Sequence, residues 1–149
     1  MSEHLATIRW KRKSPDFAYD SYNRGHQWEF DGGVEVAASA APGYLGDPER
    51  VDPEEALVAS LASCHMLTFL ALAARKRLVV DAYTDSAVGV MEKNADGKLA
   101  ITRVTLRPKV QFGGVSPPSS ADIDKLHELS HENCFISKSV RTSVTIEPR

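Results

Sequence analysis

The stretch VDPEEALVASLASCHMLTFLALAARKR, residues 51–77, opens with a helix start signal. Asp52 is placed to cap the free amides, Pro53 suits the first helical position, and Glu55 completes a D-x-x-E capping box. Glu54 favours the positive end of the helix dipole, and Arg75, Lys76 and Arg77 favour the other end. Between them, residues 56–74 are apolar except for Ser60, Ser63, His65 and Thr68. No single stripe accounts for that pattern, and a helix apolar on all sides is either buried on all sides or spans a membrane. Nineteen Ala-rich residues with four polar interruptions and no second span make a poor transmembrane signal, so the expectation is a buried central helix.

Working outward, residues 5–12 read as a strand, and residues 16–31 as two further strands around a turn at 23–25, the last carrying Trp28 and Phe30. Residues 32–50, rich in Ala, Gly, Pro and Ser, read as a long loop with room for one short strand. After the central helix, residues 78–94 and 98–112 form a long hairpin across Asn94–Gly97, with Ile101, Val104, Leu106 and Val110 alternating on the return strand. Residues 120–133 form an amphipathic helix with Ile123, Leu126, Leu129 and Ser130 on its inner side. The end of the chain is a last strand. Antiparallel hairpins without strict βαβ alternation give an α+β class, and 149 residues with 42% hydrophobic content suit one domain spanning 1–149.

A net charge of −2 with cations scattered among acids gives no footprint for nucleic acid. The first residues carry no secretory signal, so cytoplasmic residence is the default expectation. Two cysteines make no disulfide framework, and neither lies in a C-x-x-C pair. In a reducing compartment, Cys64 and Cys134 are either unrelated buried thiols or a pair that cycles.

The H-E-x-x-H run at His127–His131 matches a zinc-protease pattern by letter, but catalytic zinc needs a third protein ligand. Glu132 and Cys134 are the nearest choices, and neither sits in a supporting context; no metal site is expected. His65 follows Cys64 directly, yet consecutive helix residues point about 100° apart, so His65 is not placed to activate the thiol. A neighbour satisfying His65 is the simpler expectation.

The runs DPEEALVASLASCHMLTFL and HENCFISKSV resemble the two cysteine motifs of the OsmC/Ohr family, the osmotically inducible and organic hydroperoxide resistance proteins, and the resemblance covers nearly the whole chain. It implies an antiparallel sheet wrapping a long buried central helix in an intertwined homodimer. It further implies a thiol peroxidase in which Cys64 attacks an organic hydroperoxide, Cys134 resolves the product, and Glu54 orients an arginine that tunes the thiolate. Arg24 is the choice for that arginine, with Arg9 and Arg12 as rivals. A nearby guanidinium favours the thiolate form of a cysteine, and a sulfenic acid condenses with a second thiol, so these roles are chemically coherent.

Glu54 and Cys64 are ten residues apart, about 15 Å along a helix, so the resemblance implies that Glu54, with Arg24, reaches the cysteine of the partner chain. Leu61, Met66, Leu67 and Phe69 are candidates for an apolar substrate wall, as well as for plain core. No metal, flavin or haem is required; electrons come from an external thiol, a dihydrolipoyl group or a thioredoxin-like protein. Phe135 where the family commonly has Pro, and His65–Met66 after Cys64, point to a distinct OsmC-like branch. The alternative function is a non-enzymatic small-molecule or lipid-binding protein of the same fold.

Overall fold

The computed structural model describes all 149 residues, which form two compact units, residues 1–56 and 57–149. In the first unit, β1 (Ala6–Arg9), β2 (His26–Phe30) and β3 (Glu35–Ala38) make an antiparallel sheet in that order. Its register sets Ile8 opposite Trp28 and Trp28 opposite Val36. The strand expected at the start of 16–31 does not form. Residues 18–22 turn instead, with Tyr22 N–H donating to the Ala18 carbonyl at 3.0 Å and Ser21 Oγ donating to Asp16 Oδ1 at 2.8 Å. Local side-chain bonds of this kind compete with a ladder, and the packed rings of Trp10, Phe17 and Tyr22 hold the turn.

The 32–50 loop contains β3 as its one strand, followed by a 3-10 turn at Pro42–Tyr44. Helix α1 (Pro53–Arg75) then starts on the expected box. Glu55 N–H donates to Asp52 Oδ1 at 2.7 Å, and Asp52 N–H donates to Glu55 Oε2 at 3.3 Å.

The second unit carries the rest of α1, and two apolar clusters line it. Leu61 packs with Val104 and Leu106. Phe69 and Ala73 pack with Leu126. The long hairpin forms, but each arm is broken: β4 (Val80–Asp85) pairs with β7 (Pro108–Phe112), and β5 (Val88–Lys93) with β6 (Leu99–Leu106). At the break Arg107 N–H donates to Asp85 Oδ1 at 2.7 Å, and Pro108 has no N–H with which to continue the ladder.

Helix α2 (Ser120–Asn133) begins at a reciprocal Ser119–Asp122 capping box, and a four-residue helix, α3 (Phe135–Lys138), follows. Strand β8 (Ser143–Ile146) then adds to β6 in parallel, the one departure from antiparallel pairing among the named strands.

The α+β class and the long central helix with antiparallel sheets are as expected. Burial of α1 on all sides is not: within the chain its buried residues are Leu61, His65, Phe69 and Ala73, a single stripe, while Leu67 is 60% exposed. Helix α1 is also long and apolar enough to cross a membrane, a test of length and composition that the core helix of a globular protein passes too.

Candidate active site

Cys64 lies midway along α1, half-buried, on the side away from the buried stripe. It borders a cleft of about 690 Å³ whose apolar walls include Leu67, Leu72, Phe135 and Ile136. Arg75 and Asn133 also border it. Arg75 follows Cys64 by eleven residues, three helical turns, and so returns to nearly the same face.

Cys134 closes α2 and opens α3, because Asn133 is the last residue of α2 and the chain turns extended at φ −73°, ψ 112°. Its sulfur accepts the Ser137 N–H at 3.4 Å, and the residue is 1% exposed. Burial pushes the Cys134 thiol up to about 11, and the Cys64 thiol beside it adds to the rise. Two cysteines seventy residues apart in sequence are therefore neighbours in the fold, both as free thiols. One is reachable from a cleft, and the other is sealed behind it.

His65 turns away from this cleft. It is 1% exposed, and its Nε2 lies 3.1 Å from Nδ1 of His127, which is 4% exposed. The neighbour expected for His65 is present on one nitrogen only; its Nδ1 is buried without a hydrogen-bond partner. His127, the first residue of the H-E-x-x-H run, is thereby tied to the core, and Glu128 pairs with Lys125 at 2.5 Å. No three His, Cys, Asp or Glu side chains are grouped to hold a metal ion.

The four residues named for an apolar wall separate. Leu67 borders the cleft. Leu61 and Phe69 belong to the two core clusters, and Met66 points about 200° around the helix from Cys64 and does not line the cleft. Arg75 and Asn133 were not picked out from the sequence; the eleven-residue interval from Cys64 was the available signal for Arg75.

In the first unit Arg24 is 9% exposed, donating to the carbonyls of Tyr22 at 2.8 Å and of Tyr19. Its guanidinium also lies 4.0 Å from the Tyr22 ring centroid. Glu54 is half-buried in the first turn of α1. Of the rival arginines, Arg9 pairs with Glu29 at 2.7 Å, and Arg12 donates to the carbonyls of Ser14 and Pro15.

A family model for OsmC-like proteins matches residues 46–149. The chain belongs to the OsmC-like family. An OsmC-like protein of unknown function from Vibrio cholerae is 51% identical over the full length of both chains, with a TM-score of 0.97. The fold is shared with an organic hydroperoxide resistance protein from Elizabethkingia anophelis, at 17% identity over 99% of this chain and 94% of that one, TM-score 0.72. It is also shared with the organic hydroperoxide resistance protein OhrB of Bacillus subtilis, at 20% identity over 99% and 98%, TM-score 0.69. None of the curated proteins matches the chain. Within this OsmC-like protein, the paired thiols fall inside the matched region.

Proposed function

We propose that this protein is a cysteine-based peroxidase that reduces organic hydroperoxides in the cytoplasm. The observation that carries the reading is the asymmetric neighbouring pair, Cys64 in an apolar cleft and Cys134 buried behind it. The Cys64 thiolate attacks the outer peroxide oxygen; the O–O bond breaks, the alcohol leaves with a proton, and Cys64 becomes a sulfenic acid. The Cys134 sulfur then displaces water from that sulfenic acid and forms the disulfide. An external dithiol, a dihydrolipoyl group or a thioredoxin-like protein, returns both thiols by exchange. Cys64 attacks first because it borders the cleft through which a hydroperoxide arrives, whereas Cys134 is buried away from it.

OsmC-like proteins are typically homodimeric, and the single buried stripe of α1 supports the same assembly here, since an apolar helix this exposed needs a second cover. In that homodimer Arg24 and Glu54 reach the partner's thiol, the guanidinium favouring the thiolate; within the chain the Tyr19 and Tyr22 carbonyls orient Arg24, and no ion pair joins it to Glu54. Leu67 contributes the substrate wall, and the remaining wall comes from Phe135 and from Leu72 and Ile136, which also pack against the two core clusters.

The deciding experiment treats reduced protein with one equivalent of cumene hydroperoxide and reads intact and peptide masses, alongside Cys64→Ser and Cys134→Ser. A Cys64–Cys134 disulfide in the parent and sulfenic or higher acids on Cys64 in Cys134→Ser are expected. Two unchanged thiols after minutes at neutral pH would turn the cleft into a binding site for an apolar small molecule or lipid, which its walls also suit.

A further inference from the structure

Residues 1–56 enclose a second cleft, of about 550 Å³, with no cysteine in its walls. Five cations border it, Arg9, Lys11, Lys13, Arg24 and Arg50, against one carboxylate, Asp47. The chain as a whole carries −2, so this is a local reversal of sign. Two of the cations are neutralised, Arg9 by Glu29 and Arg50 by Asp47 at 3.1 Å. Lys11, Lys13 and Arg24 have no carboxylate partner within ion-pairing distance.

The backbone that carries the two lysines, and the guanidiniums of Arg24 and Arg50, are held in place. Asn23 clamps the segment before it: its side-chain amide donates to the Lys11 carbonyl at 3.0 Å, and its side-chain oxygen accepts the Lys13 N–H at 2.7 Å. Arg9, Lys11 and Lys13 thus border the cleft while the intervening Trp10 and Arg12 do not; the Trp10 indole donates to the Asn23 carbonyl. Arg24 is fixed by the two tyrosine carbonyls and rings already described. Arg50 lies over the bare backbone of Gly25, where an added Cβ would meet its Cζ at 3.6 Å. On the opposite wall Ser39 Oγ accepts the Asp47 N–H at 3.0 Å, and Gly46 packs so tightly that a Cβ would come within 1.5 Å of the Ala40 carbonyl oxygen.

Like charges that converge without partners repel one another and disfavour the compact state. An anion that enters removes that cost, and the fixed backbone limits the reordering to the two lysine side chains. Three unpaired cations match the roughly threefold charge of a pyrophosphate group, and the volume suits a small molecule rather than a macromolecule. We propose that this cleft is a binding site for a small multiply phosphorylated anion, of the nucleoside diphosphate or pyrophosphate class, with Lys11, Lys13 and Arg24 as its principal charge contacts. The site shares Arg24 with the peroxidase reading, but Lys11 and Lys13 have no part in that reading, and the readout is binding and not turnover, so the two fail separately.

The test is calorimetric titration of the full-length protein with pyrophosphate, ADP and orthophosphate at low salt, repeated with Lys11→Gln, Lys13→Gln and the double variant. Both residues are exposed, so circular dichroism melts of the variants are expected to match the parent. Pyrophosphate and ADP are expected to bind at least tenfold more tightly than orthophosphate and to weaken as salt is raised. The double variant is expected to lose about tenfold or more in affinity for pyrophosphate. Lys98→Glu, a charge change at the Asn94–Gly97 turn, is expected to leave that affinity unchanged. No binding of pyrophosphate or ADP at millimolar concentration would overturn the proposal, as would equal binding of orthophosphate, parent-like affinity in the double variant, or an equal loss in Lys98→Glu.

Discussion

The imidazoles of His65 and His127 stack 5.4 Å apart and 7° from parallel, one donating to the other across 3.1 Å in the interior. The contact joins α1 to α2 one residue after Cys64. Burial, followed by the charges of His127 and His131, lowers the His65 pKa to about 4, and burial lowers that of His127 as well, against a small opposing pull from Asp124. An unfolded histidine titrates near 6.5. The unfolded chain therefore binds more protons than the native one between about pH 6.5 and 4, and stability falls as the pH drops through that window. Thermal melts from pH 7.5 to 4.5 are expected to show a steady loss of Tm below pH 6.5 and little change above it. His65→Phe is expected to flatten the acid side; an unchanged slope would place the acid sensitivity elsewhere.

Resolution by Cys134 is expected to depend on pH. Burial pushes its thiol up, out of the neutral range, so the thiolate fraction rises about tenfold per pH unit across neutral and mildly basic conditions. Stopped-flow measurement of disulfide closure after a hydroperoxide pulse is expected to quicken by about that factor per unit between roughly pH 7 and 9. A flat profile would count against Cys134 as the attacking thiol.

Phe69 is fully buried against Tyr83, Phe112 and His127, with ring centroids 5.7, 6.3 and 4.5 Å away. Phe69→Ala is expected to cost about 3–5 kcal/mol in denaturant unfolding, through lost burial and the cavity left behind. A loss below about 1 kcal/mol would show that the core around α1 is not packed as described.

Gly46→Ala tests the wall of the basic cleft. Its Cβ would collide with backbone at Ala40, which no rotamer change relieves. A loss of about 1–3 kcal/mol is expected, in contrast to Gly43→Ala, where nothing lies within 4 Å of an added Cβ. Equal stability of the two variants would sink the account of this loop.

Sedimentation at micromolar concentration is expected to give twice the chain mass of 16.3 kDa. A species at the chain mass alone would leave the exposed side of α1 without a cover and would remove the partner route from Arg24 and Glu54 to Cys64.

Local chemistry made much of this protein legible in its sequence. The D-x-x-E box at Asp52, the Asn94–Gly97 turn, the amphipathic helix ending just before Cys134 and the α+β class all depend on residues a few positions apart, where capping, turn and periodicity rules operate. The cysteine motifs carried the family.

Tertiary structure alone decided the rest. Which side of an all-apolar helix is buried cannot be read from a pattern with no polar face, so Leu61 and Phe69 went to the core while Leu67 stayed at the cleft. The hairpin arms broke where Arg107 meets Asp85, twenty-two residues away. The His65–His127 pair and the convergence of five cations on one cleft likewise join residues far apart in the chain. The physical reason is common to all of them: periodicity and capping are short-range, whereas burial and charge are settled by whichever distant segments the folded chain brings into contact.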